Sequence, residues 1–91
     1  MLPKKQLEAF GAFYDSARHN DILDPKTTYL IRMGAAMAVG CSPCMEYYLG
    51  QQEKEGITDQ EIGAVQALVM AVSAGRVKAQ FQEVDKKKKV N

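Results

Sequence analysis

Two cysteines, Cys41 and Cys44, form the motif Cys-Ser-Pro-Cys and are the residues whose type and spacing most clearly indicate chemistry. The two-residue spacer lets the sulfurs meet with little backbone movement, so the pair can cycle between a dithiol and a disulfide. If a helix begins here, its unpaired N–H groups and positive dipole end lower a thiol pKa from about 8.5. The motif therefore predicts a redox pair at a helix N-terminus.

A structural or inert pair of thiols is one alternative, and a metal half-site is another. Structural zinc normally needs about four protein ligands, and this chain has two Cys and one His, His19. A metal site would therefore have to be shared between subunits, and none is predicted within one chain. We expect His19 to lie at the surface without a catalytic role. A thioredoxin-like fold is excluded because no strand is predicted before Cys41. No cofactor is predicted.

The elements that position the cysteines are predicted to be helices. Apolar residues recur at helical spacing along the whole chain, and no stretch alternates with a period of two residues. Asp24-Pro25 and Ser42-Pro43 each place a capping residue before a first-turn proline. The pattern predicts an all-α fold of four to five helices: one behind Pro3, then Asp24 to Gly40, Pro43 to about Glu55, Thr58 to near Gly75, and Arg76 to Val84.

Length and charge limit the domain organisation and the partners. The chain has 91 residues and a net charge of +1. Residues 85–91 contain four Lys and one Asp and therefore sum to +3. We expect one helical domain over residues 1–84 and a solvated lysine-rich tail over residues 85–91. The remaining residues sum to −2, so we expect no nucleic-acid partner. A chain this short buries a thin core, which predicts a homo-oligomer.

The apolar segments are too short to predict a membrane span. The longest, residues 33–41 and 67–72, fall short of the roughly 20 residues required. The N-terminus has no apolar region behind its lysines, so no signal peptide is expected. These features predict a cytoplasmic protein.

The spacing of several motifs resembles the carboxymuconolactone decarboxylase and alkylhydroperoxidase D-like family. They are Leu23-Asp24-Pro25-Lys26-Thr27, Val39-Gly40-Cys41 followed by Cys44, and the segment from Gly56 to Ile62, within residues 20–75. The resemblance implies a helical bundle of the alkylhydroperoxidase D-like type that forms homo-oligomers, often trimers or hexamers. It also implies an antioxidant peroxidase or thiol-disulfide oxidoreductase, with Cys41 and Cys44 catalytic and a thiol protein or small dithiol as reductant.

Two positions depart from the family pattern. Peroxidase-type members carry a Glu twelve residues before the first cysteine and a His four residues after the second, where this chain has Tyr29 and Tyr48. Tyr, with a pKa near 10, is a poor base at neutral pH, and general acid–base help is typically worth about 10²–10⁴-fold. We therefore expect a slow enzyme, or a non-catalytic member that binds a small ligand or a protein.

The roles within this site stay open at the sequence level. Tyr29 and Tyr48 could line a pocket and replace the relay, or they could pack with Tyr47 at an oligomer interface. The helix dipole should act most directly on Cys44, so that Cys41 would resolve the intermediate. The opposite assignment is also open.

Overall fold

The computed structural model describes residues 1–90, and Asn91 lies outside it. Four helices follow one another along the chain, and residues 1–90 contain no strand. The bounds are α1 Lys4–Arg18, α2 Pro25–Val39, α3 Ser42–Gln51 and α4 Asp59–Val90. The predicted all-α fold is confirmed.

The helix ends follow from local hydrogen bonds that the sequence predicts. Asp24 caps α2 by accepting the Thr27 backbone N–H at 2.9 Å. Gly40 ends α2 in the left-handed region at φ 71°, a conformation that a side chain disfavours. At α4, Glu61 N–H donates to the Thr58 hydroxyl at 3.1 Å, and Thr58 N–H donates to the Glu61 carboxylate at 2.9 Å. This reciprocal pair is the predicted capping box.

Helix α4 is longer than predicted and includes the residues assigned to the tail. The prediction of an end near Gly75 is wrong, because the helix runs unbroken from Asp59 to Val90. One interior Gly costs a helix about 1 kcal/mol, which the good helix formers around it offset. Two i,i+4 ion pairs support the last turns, and three lysines there complement the helix dipole. Residues 85–90 are therefore part of helix α4, and their assignment as a solvated tail outside the helical domain stays a prediction.

The core is small and centres on α2. Its buried apolar side chains come from α2, α3 and the turn before α4: Tyr29, Met33, Ala36, Tyr48 and Ile57. Helix α4 crosses α2 closely at Gly34, where an added Cβ would lie 3.2 Å from Val65 Cγ1. The two helices thus approach closely at this glycine, and α2 is the element on which α3 and α4 pack.

Two apolar surfaces stay open in the single chain. Helix α1 has no buried residue, and its Phe10 and Phe13 are more than half exposed. Val77 and Phe81, in the C-terminal half of α4, are also more than half exposed. The radius of gyration is 17.8 Å, against about 12 Å for a compact domain of this length. The chain is therefore extended, and much of its apolar side-chain area lies outside its own core.

One segment of α4 meets the length and composition criteria for a membrane span. It comprises Asp59–Lys89, its most apolar window has a mean hydropathy of 1.2, and none of that window is buried. A single helix of this kind is weak evidence, because helices of water-soluble proteins meet the same criteria. The absence of a membrane span stays a prediction.

Candidate functional site

The cysteine pair lies at the start of α3, as predicted. The prediction of Ser42 as the cap is wrong, because Cys41 is the N-cap residue and the helix begins at Ser42, with Pro43 in the first turn. The two sulfurs are at disulfide bonding distance, with the Cα atoms 5.3 Å apart. Gly40 in its left-handed conformation makes the sharp turn from α2 that brings Cys41 to this position. Local backbone geometry therefore places both thiols at the positive end of a helix.

The helix N-terminus contacts Cys41 rather than Cys44. The Cys44 backbone N–H donates to Cys41 Sγ at 3.3 Å, as a side-chain oxygen does at an ordinary N-cap. Both cysteines are half-buried against the core. The sequence indicated Cys44 as the residue on which the helix dipole acts most directly, and which sulfur attacks stays a prediction.

Tyr29 and Tyr48 lie in the core cluster against which both cysteines pack. They are 3% and 7% exposed, and their rings meet edge to face with centroids 6.1 Å apart. The Tyr29 hydroxyl donates to the Tyr48 backbone carbonyl. The fold thus brings the four predicted site residues into one cluster, while their catalytic roles stay predictions.

Two further residues, Tyr14 and Arg32, join this cluster and were missed at the sequence level. The Arg32 guanidinium lies 4.5 Å from the Tyr48 ring centroid and donates to the Tyr14 hydroxyl at 2.9 Å. Arg18 lies 5.9 Å from the Tyr14 ring centroid. Arg32 follows Tyr29 by three residues on α2, so helical spacing could have placed it nearby. No local signal indicates Tyr14, because α1 reaches the cluster through tertiary packing.

The pKa values of Tyr14, Tyr29 and Tyr48 are shifted in different directions by their surroundings. Burial raises the pKa of Tyr29, with the Glu55 charge adding to it, and burial also raises the pKa of Tyr48. The pKa of Tyr14 is lowered, first by hydrogen bonding with the Tyr48 phenol and then by Arg32 despite some burial. Because burial raises both pKa values above the ordinary value of a tyrosine, Tyr29 and Tyr48 remain protonated at neutral pH. They can donate hydrogen bonds there but cannot act as bases.

A cleft of about 420 Å³ lies beside this cluster, where the end of α1 meets α2 and the end of α3. Tyr29 and Tyr48 form part of its wall, and neither cysteine lines it. Arg18, Arg32 and Lys54 also line it. His19 lies at its edge and is exposed, as predicted. The cleft therefore combines aromatic surface with positive charge.

Within residues 1–90 no group of three or more His, Cys, Asp or Glu side chains is arranged to hold a metal ion.

Comparisons with known proteins agree with this architecture. The model of the carboxymuconolactone decarboxylase family matches residues 5–85. A crystal structure of a protein from Methanobacterium thermoautotrophicum is similar with a TM-score of 0.82 and 24% sequence identity, covering 91% of this chain and 94% of that one. At that identity the likeness concerns the fold alone. No match was found among curated proteins.

Proposed function

The chain belongs to the carboxymuconolactone decarboxylase family, and we propose that it is a thiol-disulfide oxidoreductase or slow peroxidase acting through Cys41 and Cys44. The observation that carries this proposal is the cysteine pair itself, at disulfide distance on the N-cap and first turn of α3. The decarboxylases that give the family its name lack such a pair, so we do not propose decarboxylation.

The proposed cycle transfers two electrons from the cysteines to a substrate. One thiolate attacks a substrate disulfide, forms a mixed disulfide and expels a thiolate, which takes up a proton. The second cysteine then attacks the mixed disulfide as its thiolate, so the second substrate thiol leaves and the Cys41–Cys44 disulfide forms. With a hydroperoxide, the first step yields an alcohol and a sulfenic acid, and the second step releases water. A dithiol, on a protein or a small molecule, returns the pair to the reduced state.

We propose that Cys41 is the thiolate of the reduced pair, since its sulfur accepts the Cys44 amide N–H. The single variants compare the two sulfurs directly. The thiol left in Cys44→Ser should react with iodoacetamide with a lower apparent pKa than the thiol left in Cys41→Ser. The reverse order would assign the thiolate to Cys44.

We expect a slow reaction, because the nearby phenols supply hydrogen bonds but no base. Tyr29 and Tyr48 occupy the positions of the relay Glu and His, and burial raises the pKa of both. Without a positioned base the rate depends on the thiolate fraction set by the helix terminus alone. The rate should therefore rise with pH through the thiol pKa and show no decline assignable to a His.

Turnover of a model disulfide and of a hydroperoxide tests the redox proposal. The wild type should turn over at least one of them, and Cys41→Ser and Cys44→Ser should each abolish the catalytic cycle. Ser42→Ala, a change at an exposed position between the cysteines, is the matched control and should keep the activity. No turnover by the wild type, together with two thiol pKa values near 8.5, would exclude the function.

We further propose that the chain acts in the cytoplasm as a homo-oligomer, a trimer or hexamer. The support is the apolar surface of α1 and of the far half of α4, where Phe13 is 62% and Phe81 is 71% exposed. Covering such surfaces with sister subunits removes apolar area from water. Sedimentation should show an oligomer for the wild type and a smaller species for Phe81→Glu. Gln82→Glu serves as the control, because Gln82 lies on the same helix but is at neither i,i+3 nor i,i+4 spacing from Val77 or Phe81. A monomeric wild type would contradict the assembly.

A non-catalytic function in small-ligand binding is the second possibility, and the cleft beside Tyr29 and Tyr48 favours it. Replacing both cysteines with Ser separates the two functions. A binding function should survive this change, whereas a redox function should not.

A further inference from the structure

The cleft beside the aromatic cluster carries an excess of positive charge. Three cations, Arg18, Arg32 and Lys54, line it, and Glu55 is the carboxylate among its lining residues. Within residues 1–90, the ion pairs closer than 4 Å involve other cations, namely Lys4, Lys26, Lys87 and Lys89. The cleft cations therefore have no carboxylate partner within 4 Å among residues 1–90.

Arg32 is the most constrained of these cations. The residue is half-buried, and its guanidinium stacks over the Tyr48 ring and donates one hydrogen bond to Tyr14. Most of its N–H donors have no protein acceptor within residues 1–90. These free donors can bind an anionic partner that enters the cleft. The arrangement thus leaves a fixed cation beside an open cavity.

We propose that this cleft binds a small organic anion, with a carboxylate at Arg32 and Arg18 and a flat apolar body against the tyrosine rings. A guanidinium matches a carboxylate with two parallel N–H···O bonds. Tyr29 and Tyr48 in the wall and the half-exposed Tyr47 supply aromatic surface. The volume of about 420 Å³ lies in the range of small-molecule sites. Lys54 adds a third positive charge from the turn after α3.

This binding site is independent of the proposed redox function. The cysteines do not line the cleft, and the two sites share the buried tyrosines rather than the sulfurs. Binding should therefore persist in the Cys41→Ser/Cys44→Ser variant, which cannot cycle. A wild type that binds the anion but does not turn over thiol substrates would contradict the proposed function alone. A wild type that turns over but does not bind the anion would contradict this inference alone.

The experiment is a titration of the full chain followed by NMR chemical shifts. The probes are benzoate, its neutral analogue benzamide, and inorganic phosphate. We expect benzoate to bind at least tenfold more tightly than benzamide and to shift resonances of the cleft residues. Benzoate binding should weaken as the salt concentration rises, because the cations are partly exposed.

Variants identify the cations that hold the anion. Arg18→Gln and Lys54→Gln should each weaken benzoate binding severalfold, and the double variant should weaken it more than either. Lys78→Gln, on the exposed far half of α4, is the matched control and should bind as the wild type does. Arg32→Gln is not decisive, since Arg32 also packs on Tyr14 and Tyr48.

Three results would overturn the proposal. The first is equal binding of benzoate and benzamide, which would show that charge is not recognised. The second is unchanged benzoate binding in a folded Arg18→Gln/Lys54→Gln variant. The third is phosphate binding as tight as that of benzoate, which would show that the organic body is not recognised.

Discussion

Replacing Tyr29 with Phe removes one hydroxyl from the core and leaves the ring in place. That hydroxyl donates to the backbone carbonyl of Tyr48, in the last turn of α3. A regular helix would satisfy this carbonyl with the N–H of Gln52, but that N–H donates to Leu49 instead, at 3.3 Å. Tyr29 thus satisfies one of the carbonyls that a helix end leaves without a partner.

The expected loss in the free energy of unfolding follows from this hydrogen bond. Phe keeps the ring and its packing, so no large cavity forms and the cavity cost stays small. What remains is a buried acceptor without a donor, which typically costs about 1–3 kcal/mol. With a urea m-value of about 1–3 kcal/mol/M, the unfolding midpoint should fall by roughly 1 M. The same reasoning assigns the Tyr29 hydroxyl a structural role, so thiol turnover should stay close to that of the wild type.

Urea unfolding followed by circular dichroism measures the loss. All proteins must be compared at one chain concentration, since assembly adds to the apparent stability. Tyr47→Phe is the control, because Tyr47 is half-exposed and its hydroxyl makes no hydrogen bond within residues 1–90; its midpoint should not move. Equal midpoints for Tyr29→Phe and Tyr47→Phe would refute the reasoning. A folded Tyr29→Phe with greatly reduced thiol turnover would instead assign this phenol to the chemistry.

Substitutions at four other residues test the scaffold. Gly75→Ala should raise the free energy of unfolding by about 1 kcal/mol. Gly34→Ala should raise it by less, because the new Cβ would lie 3.2 Å from Val65. Equal increases in the free energy of unfolding, measured in urea, would disprove close packing between α2 and α4. The pKa of Glu61 is lowered, first by its bond to Lys26 and then by the Thr58 amide. Its stabilisation is therefore present above the ordinary value of 4.5 and is lost as the pH falls through the lowered value. Unfolding between pH 7 and pH 3 should show a smaller acid loss in Glu61→Gln, and an unchanged loss would count against the contact. Asp24→Ala should lower the melting temperature and Asp24→Asn should largely restore it, whereas equal losses would exclude capping.

Much of the fold could be predicted because its determinants are local. The Asp24 cap, the Gly40 turn and the Thr58 capping box each depend on groups within about four residues of one another. The same is true of Cys41 and Cys44, whose spacing alone allows the sulfurs to meet at a helix start. Gly75 was misjudged as an end, because its neighbours are good helix formers and a single Gly is a weak signal.

The local sequence by itself determined an all-helical chain with a cysteine pair at the start of α3. The tertiary structure decided how the rest of the site is arranged around that pair. It selected Cys41 as the sulfur that accepts the helix amide, and it joined Arg32 to Tyr14, eighteen residues apart in sequence. The physical reason is range: caps and turns are set by neighbouring backbone groups, whereas contacts between α1, α2 and α3 exist only after the helices pack.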